Sequence, residues 1–161
     1  FWPYVCQLFV YLLPAEERDD MIAAYARRVF SGNLQTETLY AGAWGSWENS
    51  LESISNDGPG GDSPAEYARA FARLENHYFS NLGFLEQDGW IEANIDQIAQ
   101  TPGTIVHGRY AMICPPSAAF RLNRLWPRST LRIVPRAGHA LSEPGLTAEV
   151  VRVMDGLRRG A

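Results

Sequence analysis

One histidine, two glutamates and a cysteine are the side chains best placed for chemistry. His139 stands in AGHALSEPG, residues 137–145, a glycine-containing loop after a short apolar run. Open α/β sheets set functional groups at the carboxyl ends of their strands. Imidazole titrates near neutrality, so His139 is a candidate general base. The plain alternative is a loop-packing histidine, and spacing does not separate the two. Glu75 follows Phe71 by four residues and precedes Tyr78 and Phe79 by three and four, which puts it beside an aromatic stripe. Glu48 lies four residues after Trp44 and next to Trp47. A carboxylate in such a place needs a cation or several donors. For Glu75 that cation is either an internal arginine, Arg69 or Arg73, or the ammonium of a ligand held by two carboxylates and bordered by rings.

The stretch IVHGRYAMICPP, residues 105–116, is a second place to look. Its apolar run ends at Gly108, and strands that end this way often present a working side chain just beyond. Here the position holds Ala111, which has no functional group. Cys114 has no base near it in sequence and reads as a pocket wall rather than a nucleophile. His77 falls on an aromatic helix and His107 inside a strand. Neither stands at metal-ligand spacing from His139 or the cysteines, so no metal and no other cofactor is expected. No Rossmann or P-loop glycine pattern occurs.

The elements that must position these groups change character along the chain. Residues 15–31 predict a helix with acidic first turns, Arg27-Arg28 in its last turn, an apolar stripe of Met21, Tyr25 and Val29, and Gly32 as its end. A second helix is expected over 36–54, with Leu39, Ala43, Trp47, Leu51 and Ile54 as its stripe. A loop follows at 56–64. A third helix is expected over 65–79, with Tyr67, Phe71, Leu74 and Tyr78 on one face, and a weaker one over 88–100. After these, residues 104–108 and 131–135 read as buried strands, and 117–126 and 147–159 as helices. Four helices followed by strand–helix–strand–helix suggest a helical region ahead of the end of an α/β sheet. Two strands alone do not make a stable doubly wound sheet, so the remaining strands are expected from elsewhere.

Composition narrows the function classes. The chain has 161 residues, 46% of them hydrophobic, enough for a core. A net charge of −4 and 14 basic residues, all scattered arginines, give no basic patch, so no nucleic-acid partner is expected. The two cysteines, Cys6 and Cys114, are far apart and suggest a reduced, cytoplasmic setting. The opening FWPYVCQLFVYLLP lacks the basic flank of a signal peptide and is too short to span a bilayer, so no membrane partner is expected. With no initiator methionine and a first residue already inside an apolar segment, the chain reads as a piece of a larger protein.

Taken together, AWGSWENS (43–50), ARLENHYF (72–79), PGTIVHGRYAMICPP (102–116) and LWPRSTLRIVPRAGHALSEPG (125–145) resemble the proline iminopeptidases. These are α/β-hydrolase serine peptidases that remove an N-terminal proline. The resemblance covers nearly the whole chain in order. It implies a helical cap-like region over 1–100 and a C-terminal segment of the hydrolase core over 101–161. It also implies that His139 is the triad histidine, that Glu48 and Glu75 hold the substrate's N-terminal amine, and that Cys114 lines the proline pocket. The substrate would be a peptide or amide with a free N-terminal proline.

Two departures qualify that expectation. Ala111 stands where the resemblance places the triad aspartate. The nucleophile elbow and oxyanion-hole loop lie upstream in such enzymes, and no G-x-S-x-G occurs here. The chain alone is therefore expected to be inactive, with a companion chain carrying the nucleophile half. The alternatives are a non-catalytic remnant that binds peptides or a partner, and another cap-bearing α/β hydrolase acting on a small amine-containing amide or ester.

Overall fold

The computed structural model describes residues 2–54 and 63–160. The loop expected at 56–64 lies, but for its last two residues, outside the described residues. The chain divides into two compact units, Phe1–Ser50 with Asn56–Asp88, and Leu51–Ser55 with Gly89–Ala161. The helical region and the following strand–helix–strand–helix match the expected architecture, cap-like helices followed by the C-terminal part of an α/β-hydrolase fold. The sheet is incomplete, with two strands among the described residues.

The first unit is built from α1 (Trp2–Tyr11), α2 (Met21–Val29), most of α3 (Leu34–Glu52) and α4 (Ala65–Ser80). The helix expected over 15–31 is shorter, because Ala15–Asp20 forms a 3-10 turn. Asp20 then caps α2, its carboxylate accepting the Ala23 N–H at 3.0 Å. The core is aromatic. Phe9 stacks on Tyr25 and Trp47 at centroid distances of 4.5 and 4.7 Å, and Trp44 meets Phe9 and Tyr25 edge-on. The buried Tyr25 hydroxyl donates to the Phe9 carbonyl at 2.8 Å.

The stripes expected on two of these helices are offset. On α3 the buried positions include Glu37, Ala41, Trp44, Glu48 and Leu51, while Leu39 is exposed. Ile54, expected on the same stripe, lies exposed beyond the end of the helix at Glu52. On α4 they are Ala68, Ala72 and Asn76, while Tyr67, Leu74 and Tyr78 are exposed. Small residues face inward because α4 packs against α2, where Asn76 donates to the Ile22 carbonyl and Arg73 to the Val29 carbonyl. The charge on buried Glu37 is matched by Arg73 at 2.6 Å. Hydrophobic spacing misses a face whose inward line is made of alanine, asparagine and a paired acid.

In the second unit, β1 (Gly103–Gly108) pairs in parallel with β2 (Ser129–Val134), from Gly103 opposite Ser129 to Gly108 opposite Val134. The connection is α6 (Pro116–Leu125), and α7 (Pro144–Gly160) follows β2. The helix expected over 88–100 reduces to α5 (Trp90–Ala93) and a 3-10 turn, Ile95–Gln97. The helix stops at Asn94, which leaves helical backbone geometry (φ −109°). Its backbone N–H donates to the Trp90 and Ile91 carbonyls, and its side-chain amide also donates to the Trp90 carbonyl at 2.8 Å. The buried apolar residues of this unit are small or aliphatic: Leu51, Ile95, Ala111, Ala119, Ala137, Ala140 and Leu146. Among the described residues no helix is long and apolar enough to cross a membrane.

Candidate active site

The site in the second unit is formed where two loops leave the carboxyl ends of β1 and β2. Gly108 ends β1, and the backbone beyond it bonds to the other loop: Arg109 N–H donates to the Val134 carbonyl at 3.0 Å and Tyr110 N–H to the Ala137 carbonyl at 2.9 Å. This approach requires glycine. A Cβ on Gly108 would lie 1.8 Å from the Gly138 carbonyl oxygen. The result is a cavity of about 290 Å³ whose lining includes Gly108, Ala111, Cys114, Gly138, His139 and Leu146. Three sequence-predicted residues, His139, Ala111 and Cys114, therefore meet around one hollow.

Within it, the His139 side chain is exposed and Ala111 is only 2% exposed. The imidazole of His139 makes no hydrogen bond or ion pair with a described residue, and the methyl group of Ala111 has no oxygen to offer it. His107, expected to be bland, has a local task. Its Nε2 lies 2.9 Å from the Cys114 carbonyl oxygen, so Nε2 carries the proton and the bond ties β1 to the segment that bears Cys114.

The loop around His139 is held by residues that sequence reasoning missed. The His139 and Ala140 N–H groups both donate to the Glu52 carbonyl, at 2.7 and 2.9 Å. Glu143, 4% exposed, accepts three bonds. Its Oε1 takes the Ser53 hydroxyl at 2.8 Å and the Ile54 N–H at 2.9 Å, and its Oε2 takes the Gly138 N–H at 2.9 Å. Burial opposes the charge, but these donors outweigh it and hold the Glu143 carboxyl below the usual glutamate range. An acid ahead of a proline that opens a helix reads from sequence as a helix-start residue. Two of its three partners, Ser53 and Ile54, lie about ninety positions away, where no local pattern points.

Glu48 and Glu75 belong to the first unit. Glu48 is 5% exposed, one turn beyond Trp44 on α3. Glu75 Oε2 accepts the indole N–H of Trp44 at 2.8 Å. Trp44 is thus the element shared by the two carboxylates, as neighbour on the helix of one and donor to the other. Arg73, one of the arginines considered for Glu75, reaches Glu37 and the Val29 carbonyl, and Arg69 donates to Thr38 Oγ1. Among the described residues no group of acidic, histidine and cysteine side chains is arranged to hold a metal ion.

No family model matches the chain. A proline iminopeptidase from Xanthomonas citri is 38% identical over 157 residues, which cover 96% of this chain and 50% of that protein. A probable proline iminopeptidase from Leptolyngbya boryana is 42% identical over 146 residues, 89% of this chain and 45% of its own length. The chain is homologous to the proline iminopeptidases. A plant relative, the proline iminopeptidase of Arabidopsis thaliana, is 37% identical over 158 residues, 93% of this chain and 40% of that protein. The resemblance to the iminopeptidases therefore holds over most of the chain, and the chain spans about half the length of these relatives.

Proposed function

We propose that this chain supplies the amine-binding cap and the histidine loop of a proline iminopeptidase-like serine hydrolase, with the nucleophile on a companion segment. The observation that carries this is the meeting of His139, Ala111 and Cys114 around one cavity at the ends of two parallel strands. In this function a serine hydroxyl attacks the carbonyl carbon of the N-terminal prolyl residue, and His139 accepts its proton. The imidazolium then gives that proton to the departing amine, which leaves an acyl-enzyme for water to open with the same histidine as base. Glu48 and Glu75 hold the substrate's free amine beside Trp44, and Cys114 forms part of the wall against the proline ring. The setting is cytoplasmic.

Ala111 deprives the imidazole of an acceptor for its second N–H and of a charge that stabilises its protonated form. Loss of a triad acid costs on the order of 10⁴-fold in turnover. The chain as it stands is therefore inactive on its own. The test is release of proline from a proline arylamide. The purified chain should release none. Combined with the upstream half of the Xanthomonas citri enzyme, the Ala111→Asp variant should exceed the unsubstituted chain by orders of magnitude. Release by the isolated chain would overturn the assignment. Equal activity of the two assemblies would remove Ala111 from the acid's position.

A second function, binding a peptide without hydrolysis, is favoured by one observation: position 111 is buried and carries no acid, while the glutamates around Trp44 are present. It predicts binding of N-terminal prolyl peptides by the chain with no turnover in any assembly.

A further inference from the structure

The hydrogen bonds around the histidine loop converge on one side chain that the proposed reaction does not use. Glu143 stands four residues after His139, buried, with its two oxygens turned to different partners. Oε1 faces the segment after α3, through Ser53 and Ile54. Oε2 faces the residue immediately before the histidine, Gly138. The same segment returns a carbonyl, that of Glu52, to the N–H groups of His139 and Ala140. Packing here is tight enough to exclude a methyl group. A Cβ on Gly138 would lie 2.8 Å from the Glu52 carbonyl oxygen and 3.0 Å from Glu143 Oε1.

We propose that Glu143 is a positioning residue for His139: its carboxylate clamps the backbone on the N-terminal side of the histidine to residues 53–54 and so sets where the imidazole enters the cavity. The inference rests on the proposed role of His139 in hydrolysis, but the clamp can be measured without any turnover. A carboxylate is required because all three partners are donors, and an ionised group accepts more strongly than a neutral one. An amide in its place keeps one acceptor oxygen and turns a donor toward the other partner. It can serve residues 53–54 or Gly138, but not both.

The experiment is residue-resolved amide exchange on the full chain, comparing Glu143→Gln with the unsubstituted protein. Exchange at Gly138, His139 and Ala140 should rise about tenfold, the loss of roughly one net hydrogen bond, while amides paired between β1 and β2 keep their protection. Ser53→Ala, which removes one donor and leaves the carboxylate, should give a smaller rise at the same three amides. Ala119→Gly, a helix substitution elsewhere in the unit, serves as a control for general destabilisation and should not single them out. A uniform rise in Glu143→Gln, or none at the three amides, overturns the clamp.

In the assembly carrying Ala111→Asp, Glu143→Gln should lower kcat while leaving KM unchanged. An unchanged kcat with a loosened loop overturns the positioning role. An assembly inactive even with Glu143 intact removes the hydrolase function instead, and exchange alone then decides the clamp.

Discussion

The two units hold their candidate groups in opposite ways. In the first, Glu48 sits on the inward line of α3 and Glu75 on the Trp44 indole, both inside regular helix packing around stacked rings. Their positions follow from helical periodicity and a large aromatic core. In the second, His139, Ala111 and Cys114 sit in turns, and the buried apolar residues are mostly alanines with a few aliphatic side chains. Their positions follow from backbone contacts, glycine approaches and one carboxylate. The lesson is where each unit is vulnerable. The first should fail when a ring is removed, the second when a single atom is added.

The largest expected effect tests the first half of that contrast. Phe9 touches Tyr25, Trp44 and Trp47, and its carbonyl accepts the Tyr25 hydroxyl. Phe9→Ala should cost about 3–5 kcal/mol, the usual result of emptying a buried aromatic site. Residue-resolved exchange should show the loss in α2, α3 and α4, with the β1–β2 amides still protected. Equal loss in both units would end the distinction between them.

A smaller effect tests the second half. Gly108→Ala puts a carbon against the Gly138 and Ala137 carbonyl oxygens, backbone atoms that have no rotamer to escape into. Overpacking of this kind costs roughly 1–3 kcal/mol. It should open the amides of Arg109 and Tyr110 and leave the helices around Phe9 unchanged. Full protection of those two amides would mean that the glycine approach is not what joins the loops.

The same contrast explains what could be read in advance. The helix-then-strand order, the two strands and the cavity-lining loop residues follow from local pattern: Gly108 and Gly138 punctuate apolar runs, and Pro115–Pro116 begin a helix. The faces of α3 and α4 do not, because Ala68, Ala72, Asn76 and paired Glu37 take the inward places while Leu39 and Leu74 face out. Glu143 was illegible for a different reason. Its meaning lies in donors from residues 53–54, and nothing near position 143 encodes them.

The smallest expected effect sharpens the comparison electrostatically, through two carboxyls held below their usual range, Glu17 in the first unit and Glu143 in the second. Glu17, in the first, is pulled down to about 2 by hydrogen bonds and charge from Arg28 and Arg27. Glu143, in the second, is lowered against its own burial by neutral donors, the Ser53 hydroxyl and the Ile54 and Gly138 N–H groups. In both, the folded state holds the proton more weakly than the unfolded chain. Each contribution is therefore complete above the ordinary glutamate range and is lost as pH falls through the lowered folded value. Salt separates them. Arginine charges are screened by added salt, whereas hydrogen bonds from neutral groups are not. Acid titration followed by exchange should show the Gly138–Ala140 amides loosening below the ordinary glutamate range, at a pH that does not move between low and high salt. Glu143→Gln should abolish that acid step. The Glu17 carboxyl, followed by NMR, should move upward toward its ordinary range as salt is added. A Gly138–Ala140 transition that shifts with salt as Glu17 does would show that the histidine loop is held by charge pairing after all, and the difference between the units would disappear.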